Sequence, residues 1–307
     1  MNPRLFLTVC LNPVLQKTVV LKKLIHGEVN RVEALYEDAS GKGVNVIRVL
    51  GQLGCKAELI TQAGGWNAAR FLALAKQHVL CLHTAPAPLA IRFCYTLIHT
   101  ATGQTTEIVE EADPVTRLTQ ARVKNLFLRR ITHAHTLVIS GTKATGFSDS
   151  LYPWMVRTAR RWKVRVILDI KGKDLVRCLE YGPQVIKPNF AEFVSTFVPG
   201  VAASESSENA RLLHRVEKTM VSLNKKYGCA VVLTRGRFPV LFADGGRIGS
   251  VGVKQIRAVN STGSGDAFTA GLASQLSCAA PLVTAIREGM RCAALNALNV
   301  RPGNILH

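Results

Sequence analysis

The residues best placed to do chemistry form one short turn, Gly263-Ser264-Gly265-Asp266. Two glycines around a small residue let the backbone turn tightly and expose its N–H groups, and the apolar residues that follow predict a buried helix. At a helix N-terminus the unpaired amides and the helix dipole favour negative charge, so the turn suits a phosphoryl group in transfer. Asp266 could then act as a general base that takes the proton of a hydroxyl attacking the γ-phosphate of a nucleotide.

A turn of this kind also occurs as an ordinary helix start, where an acid such as Asp266 is favoured for capping alone. A second glycine-rich helix start helps to decide between an anion site and an ordinary helix start. Gly41, Lys42 and Asn45 open an apolar helix and predict another site for an anion or a polar ligand. Each pattern alone is common, so the choice depends on the rest of the chain.

Composition places the chain among globular proteins of one or two domains. It has 307 residues, of which 48% are hydrophobic. No run approaches the ~20 apolar residues of a membrane-spanning helix. The eight cysteines include no Cys-x-x-Cys pair, which predicts reduced thiols and a soluble, cytoplasmic protein.

The formal net charge of +19 is high for an enzyme that acts on small molecules. A basic surface attracts polyanions, so contact with nucleic acid or an acidic membrane is one interpretation. The other is a solvated basic face, which we favour because the chain carries no helix-turn-helix, zinc-finger or RNA-recognition pattern. We expect no membrane partner and keep nucleic acid as a secondary alternative.

The order of predicted elements indicates an α/β fold. From Leu118 onward, buried strands alternate with helices, which predicts a mostly parallel sheet covered on both faces. Residues 18–38 and a hairpin over 91–110 are shorter and mixed in polarity, so we assign them together to a small exposed sheet. Residues 238–242 and 248–253 are predicted to pair antiparallel.

Taken in order, the motifs resemble those of the ribokinase-like, phosphofructokinase-B family of carbohydrate kinases, and most of all its 1-phosphofructokinase and tagatose-6-phosphate kinase branch. The stretches that carry the resemblance are Leu11-Asn12-Pro13, residues 27–32, residues 40–46, Thr106-Glu107-Ile108, Ser140-Gly141-Thr142, residues 187–192 and the turn at 263–266. The resemblance implies a ribokinase-like three-layer α/β/α sandwich with a mostly parallel central sheet and a small β-sheet lid. It implies one kinase domain over residues 1–307, with lid segments at about 13–38 and 89–112.

The implied activity is phosphorylation of a phosphorylated ketohexose by ATP with Mg²⁺, the acceptor being fructose 1-phosphate, fructose 6-phosphate or tagatose 6-phosphate. Asp266 would be the general base, and Gly263, Ser264 and Gly265 the anion hole. The remaining roles would be substrate binding by Gln16, Gly41, Lys42, Asn45, Arg92 and Ser140, ATP binding by Lys187, Asn189, Thr234, Gly236 and Asn296, and metal organisation by Asn189 and Glu192. From the residues alone, Asn189 and Glu192 are also explained by a capped helix start, and Arg92 by a solvated charge.

Three departures from the family pattern fall on the sugar side. Gln16 stands where the family usually has an aspartate, so that position has lost its charge. The other two departures are Lys143-Ala144-Thr145 in place of a Leu-Pro-Pro-like run, and Val109, Ala112 and Asp113 in place of the usual Asn and Gly. We therefore expect a kinase with altered sugar specificity. The alternative is a regulatory protein on the same fold that binds a sugar phosphate with weakened catalysis.

The small sheet also bears on assembly. A sheet with exposed edges offers unpaired backbone groups to a second copy, and this predicts a homodimer through the lid.

Overall fold

The computed structural model describes residues 4–78, 80–201, 203 and 209–306. Its strands are β1 (Phe6–Cys10), β2 (Val14–Leu21), β3 (Ala34–Ser40), β4 (Ala57–Gly64), β5 (Leu82–Ala87), β6 (Arg92–His99), β7 (Gln104–Val109), β8 (Thr136–Ser140), β9 (Arg165–Asp169), β10 (Val185–Ile186), β11 (Ala230–Arg235), β12 (Phe238–Asp244) and β13 (Arg247–Val251). Its helices are α1 (Lys42–Gln52), α2 (Ala68–Gln77), α3 (Arg117–Ile131), α4 (Leu151–Arg161), α5 (Gly172–Leu179), α6 (Phe190–Phe197), α7 (Ala210–Tyr227), α8 (Ser264–Ser277) and α9 (Leu282–Ala297).

Nine strands form the central sheet, in the order β13-β12-β11-β10-β9-β8-β1-β4-β5. All residues of β1 and β8 are buried, and β1 pairs in parallel with both β8 and β4. Such burial on both faces suits strands that are almost continuously apolar. β12 and β13 pair antiparallel at one edge, as predicted.

Helices cover both faces of this sheet, which confirms the predicted three-layer α/β fold. Along β8, Leu137 and Ile139 pack with α3 to α7, whereas Val138 packs with α1, α8 and α9. Since neighbouring residues of a strand point to opposite faces, the two groups of helices lie on opposite sides. No helix in the described ranges is long and apolar enough to cross a membrane.

The other four strands form the predicted small sheet, in the order β3-β2-β6-β7. β2 pairs antiparallel with β3 and in parallel with β6, in a register that runs from Val14 opposite Arg92 to Leu21 opposite His99. Strands from two distant parts of the chain therefore share one sheet.

A proline lies within the edge strand β5. It is Pro86, the fifth residue of the strand. β5 is an edge strand, paired only with β4, and at an edge a proline removes no ladder hydrogen bond when its nitrogen faces outward.

Glycines allow α8 and α9 to pack backbone against backbone. A Cβ atom on Gly271 would lie 2.7 Å from the carbonyl oxygen of Glu288, and one on Gly289 would lie 2.8 Å from that of Phe268. A side chain at either position would force the helices apart. The position of α8, whose first turn carries Asp266, therefore depends on having glycine at both 271 and 289.

We expect Gly289→Ala to lower the free energy of unfolding by about 1–3 kcal/mol, because the added methyl group meets the backbone of α8. The matched control is Gly51→Ala in α1, where a Cβ atom would meet nothing within 4 Å. There the better helix propensity of alanine should raise stability by roughly 0.5–1 kcal/mol. Urea denaturation of both variants measures the difference, and equal effects of the same sign would contradict the packing argument.

Candidate active site

A cleft lies at the carboxyl ends of the central strands. Cys10, Ser140 and Asp169 end the neighbouring strands β1, β8 and β9, and open α/β sheets bind their ligands at this edge. Most of the predicted site residues line the cleft: Gln16, Gly41, Lys42, Asn45, Arg92, Lys187, Asn189, Glu192, Thr234, Gly236, Gly263, Ser264, Gly265 and Asp266. The predicted Ser140 and Asn296 are both 0% exposed and lie behind the cleft wall.

The anion turn, residues 263–266, is held from behind. Gly263 caps α8 in the left-handed conformation, with φ of 82°, which a glycine adopts without strain. The side-chain amide of Asn296 donates to the carbonyl of Thr262 (2.9 Å) and to the hydroxyl of Ser264 (3.1 Å), and its oxygen accepts from the backbone N–H of Gly303 (2.7 Å). Asn296 thus stabilises the conformation of the anion turn. An effect of Asn296 on ATP binding would be indirect, because this buried side chain contacts the turn and not the cleft.

Asp266 lies in the first turn of α8 and is 6% exposed. Burial disfavours the charged carboxylate and raises the pKa of Asp266 to about 7, while the charge of Lys42 acts in the opposite direction. The amide of Asn45 donates to Oδ2 of Asp266 (2.8 Å), and the hydroxyl of Ser40 donates to the amide oxygen of Asn45 (2.9 Å). Ser40 thereby fixes the direction of the amide, and Oδ1 of Asp266 stays available to a ligand.

A cluster of opposite charges surrounds this carboxylate. The ammonium group of Lys42 lies 3.0 Å from Glu192 and 4.0 Å from Asp169, and that of Lys187 lies 3.3 Å from Asp169. Burial alone would raise the pKa of Asp169, but Lys187 and Lys42 outweigh it and lower the pKa, so this carboxylate stays charged. The predicted Ser140 contributes indirectly, since its hydroxyl donates to Asp169 (3.0 Å).

Asp169 is a functional residue that was not predicted from the sequence. A signal was present, because an acidic residue ends a predicted buried strand at the edge where parallel sheets bind ligands. Its partners Lys42, Ser140, Lys187 and Thr269 come from four other segments. The spacing of these residues along the chain does not indicate that they lie together in the fold.

Asn189 and Glu192 form the capping box that their spacing predicts. The side chain of Asn189 accepts from the backbone N–H of Glu192 (2.8 Å), and Oε2 of Glu192 accepts from the backbone N–H of Asn189 (3.1 Å). The capped helix start and a metal role are compatible here. Oε1 of Glu192 accepts from Lys42 (3.0 Å). Oδ1 of Asp169 is buried and accepts no hydrogen bond, although the ammonium groups of Lys42 and Lys187 lie 4.0 and 3.3 Å away. Carboxylate oxygens of this kind suit Mg²⁺ held through water.

Gln16 and Thr96 form a polar pair at the other end of the cleft. The amide nitrogen of Gln16 donates to the hydroxyl of Thr96 (2.9 Å) and to the carbonyl of Lys17 (3.3 Å). A carbonyl can only accept, so the amide orientation is fixed and Oε1 is left as an acceptor. Thr96 keeps its own proton to donate, and both side chains line the cleft.

Two cations near this end differ in availability. Arg92 donates to the carbonyl of Glu110 (2.8 Å), and its Nε is buried without a hydrogen bond. Lys143 is paired with Asp174 and its side chain is only 7% exposed, so the extra cation noted in the sequence is neutralised. Arg92 is therefore the better placed of the two to meet an anion.

The end of the cleft away from Gln16 and Thr96 combines apolar and basic residues. Thr234 and Gly236 line it beside Val240, Val253, Ile256, Met290, Ala293, Ala294 and Ala297, and Arg237, Lys254 and Gln255 line it as well. A flat aromatic group such as a nucleotide base would find apolar contact there.

The chain is similar in sequence to a known family and in fold to solved structures. The chain matches the pfkB family of carbohydrate kinases over residues 12–306. Its fold is similar to phosphofructokinase-2 from Escherichia coli in complex with fructose-6-phosphate, at 20% identity and a TM-score of 0.83 over 96% of this chain and 94% of that one. The tetrameric inhibited form of that enzyme gives the same identity, TM-score and coverage. A possible 1-phosphofructokinase from Thermotoga maritima matches at 19% identity and a TM-score of 0.82, over 97% and 93%.

At these identities the solved structures show a shared fold, whereas the family match covers nearly the whole sequence. The chain belongs to the pfkB family of carbohydrate kinases.

Proposed function

We propose that this kinase transfers the γ-phosphoryl group of ATP to a hydroxyl of a phosphorylated ketohexose. The observation that carries the proposal is Oδ1 of Asp266, which accepts no hydrogen bond from the described residues, at the N-terminal turn of α8 with two lysines nearby. This arrangement offers a base and an anion hole at one point. A similar fold binds fructose-6-phosphate in the Escherichia coli enzyme, which supports a phosphosugar as acceptor.

The transfer follows from these positions. The acceptor hydroxyl attacks the γ-phosphorus, its proton passes to Oδ1 of Asp266, and the bond from phosphorus to the β,γ-bridging oxygen breaks to release ADP. The backbone N–H of Gly265 would donate to the phosphoryl oxygens as charge moves through them, whereas that of Ser264 already donates to the carbonyl of Ser261 (3.1 Å). Lys187 lies behind the turn, 3.7 Å from the position of a Cβ atom on Gly265, and adds positive charge there.

ATP and Mg²⁺ complete the proposal. Thr234 and Gly236 would contact the nucleotide at the apolar end of the cleft, and Lys187 would lie near its phosphates. Asp169, Asn189 and Glu192 would hold Mg²⁺ through water, and the ion would supply positive charge to the phosphates. The residues fit this role because two carboxylates already converge there.

On the acceptor side, Arg92 would bind the phosphate already present on the sugar, since its guanidinium has no acidic partner in the described ranges. Oε1 of Gln16 would accept a hydrogen bond from one sugar hydroxyl, and the hydroxyl of Thr96 would donate a hydrogen bond to the same group. Gln16, which replaces the family's usual carboxylate, itself exerts no repulsion on an anionic acceptor. The small sheet would form the lid that excludes water during transfer.

We also propose that the protein acts as a homodimer in the cytoplasm. Leu35, at the edge strand β3, is 57% exposed, and Ile108 of the opposite edge strand is 54% exposed. A second copy would cover this apolar surface. The eight cysteines are all unpaired, which suits a reducing compartment.

We expect Asp266→Asn to lower kcat by about 10²–10⁴-fold, because the amide cannot take the hydroxyl proton. ADP release should be measured with Mg·ATP and fructose 1-phosphate, fructose 6-phosphate, tagatose 6-phosphate, fructose and ribose. Asp244→Asn, an exposed acid in the last hairpin of the sheet, is the control. Wild-type turnover on none of the phosphosugars, or full activity of Asp266→Asn, would refute the proposed function.

The pH dependence tests the same carboxylate. Asp266 must be ionised to accept a proton, so kcat/KM should rise with pH through about 7. Lys42 lowers the pKa of Asp266, and Lys42→Met should therefore move the midpoint to higher pH. Lys76→Met, which alters an exposed lysine of α2, should leave it unchanged. A midpoint that stays in place or falls in Lys42→Met would exclude this electrostatic coupling.

Assembly is tested separately by sedimentation. A charge at Leu35 would be buried in the interface, so Leu35→Glu should convert a wild-type dimer to monomers. Leu72→Glu, at a 42% exposed position on α2, is the matched control and should remain dimeric. A monomeric wild-type protein, or a dimer that tolerates Leu35→Glu, would contradict the lid interface.

A further inference from the structure

A short turn near the end of the chain, Arg301-Pro302-Gly303, supports the anion turn. We call it the C-terminal turn. A Cβ atom on Gly263 would lie 3.0 Å from the backbone nitrogen of Gly303 and 3.0 Å from Cβ of Pro302. The N–H of Gly303 also donates to Asn296, which in turn donates to Thr262 and Ser264. Any shift of the C-terminal turn would therefore reach the anion turn by direct contact.

An ion pair between half-buried Arg301 and buried Asp38 ties the C-terminal turn to β3. Arg301 donates from Nε to Oδ2 of Asp38 (3.1 Å) and from Nη2 to Oδ1 (2.7 Å), and Nη2 also donates to the carbonyl of Glu37 (3.3 Å). Asp38 is 0% exposed. Burial would raise the pKa of Asp38, but hydrogen bonds from His78 and Arg301 outweigh it and lower the pKa, so the pair is charged. Two parallel N–H···O bonds fix direction as well as distance.

A second tie runs from α1. Arg48 is 3% exposed and donates to the carbonyl of Pro302 (2.8 Å) and to the carbonyl of Ala39. A Cβ atom on Gly303 would lie 3.0 Å from the amide oxygen of Asn45, the residue that donates to Asp266. The C-terminal turn thus contacts both the anion turn and the residue that orients the base.

Asp38 stands immediately before the junction where β3 leads through Gly41 into α1. We infer that Arg301, held by Asp38, is a positioning residue that fixes the anion turn relative to the junction between the small sheet and α1. The inference rests on the proposed phosphoryl transfer at Asp266. Its consequence is kinetic: an anion hole displaced by a fraction of an ångström still binds ATP but stabilises the transferring group less well.

An ion pair on the same strand supplies a matched control. Arg70 donates to Glu37, the residue next to Asp38, from Nε (2.8 Å) and Nη2 (2.6 Å). It ties β3 to α2 and contacts no part of the C-terminal turn. A general effect of loosening β3 would therefore appear in Arg70→Met as well as in Arg301→Met.

The experiment compares wild type, Arg301→Met, Arg301→Lys and Arg70→Met. It measures kcat, KM for ATP, KM for the best phosphosugar and the thermal midpoint. We expect Arg301→Met to lower kcat at least about tenfold with both KM values within about threefold of wild type. Arg301→Lys should be intermediate, because it keeps one bond to Asp38, and Arg70→Met should match wild type.

Titration with ADP, Mg²⁺ and aluminium fluoride in the presence of fructose 6-phosphate gives a readout beyond turnover. Aluminium fluoride mimics the transferring phosphoryl group, so Arg301→Met should weaken its capture by about tenfold while ADP alone binds as in wild type. If Arg301 only stabilised the fold, Arg301→Met would lower the thermal midpoint. The affinity for ADP with aluminium fluoride, relative to the affinity for ADP alone, would then stay as in wild type.

The outcomes separate the two proposals. A folded Arg301→Met protein with wild-type kcat and fluoride capture overturns the inference and leaves the proposed function standing. An equal loss in Arg70→Met also overturns it. Should Arg301→Met not fold, Arg301→Lys decides by the same two readouts. Wild-type protein that neither turns over a phosphosugar nor binds ADP refutes the proposed function and this inference together.

Discussion

The burial of one carboxylate at the start of α8 is the constraint on which the rest of the site depends. Removing a charge from water costs several kcal/mol unless neighbours compensate. Lys42, Lys187 and the amide of Asn45 stabilise the ionised form of Asp266, while Asp169 opposes it. The balance leaves a pKa of about 7, close to the value at which a general base is most effective. Each compensating group is in turn fixed by another, as Asn45 is by Ser40.

The sequence predicted those parts of the site that are local. The anion turn, Lys42 and the capping box at Asn189 each occupy a few consecutive residues, and their backbone requirements can be read from residue types. The strand and helix pattern likewise predicted both sheets, because burial imposes a period on each element. Asp169 and Thr96 were missed, since their importance arises only when distant strands become neighbours.

The same reason explains the residues whose location differed from expectation. Ser140 and Asn296 were expected at the ligand, and both lie one layer behind it. A motif records that a residue type belongs to a site, but it does not say whether the side chain touches the ligand or holds one that does. Gln16 shows the complementary case, where only the hydrogen bonds to Thr96 and Lys17 determine which amide atom faces the cleft.

The parallel pairing of β2 with β6 has a consequence for how the chain folds. Val14 and Arg92 are neighbours in this sheet, although α1, β4, α2 and β5 lie between them in sequence. Closing so long a loop costs conformational entropy, which is offset only after the intervening elements have packed. The elements between the two strands must therefore pack before β2 can pair with β6. All four strands of the small sheet precede Asp169 and Asp266 in sequence, so a nascent chain has the complete cover before the carboxylates beneath it have been synthesised.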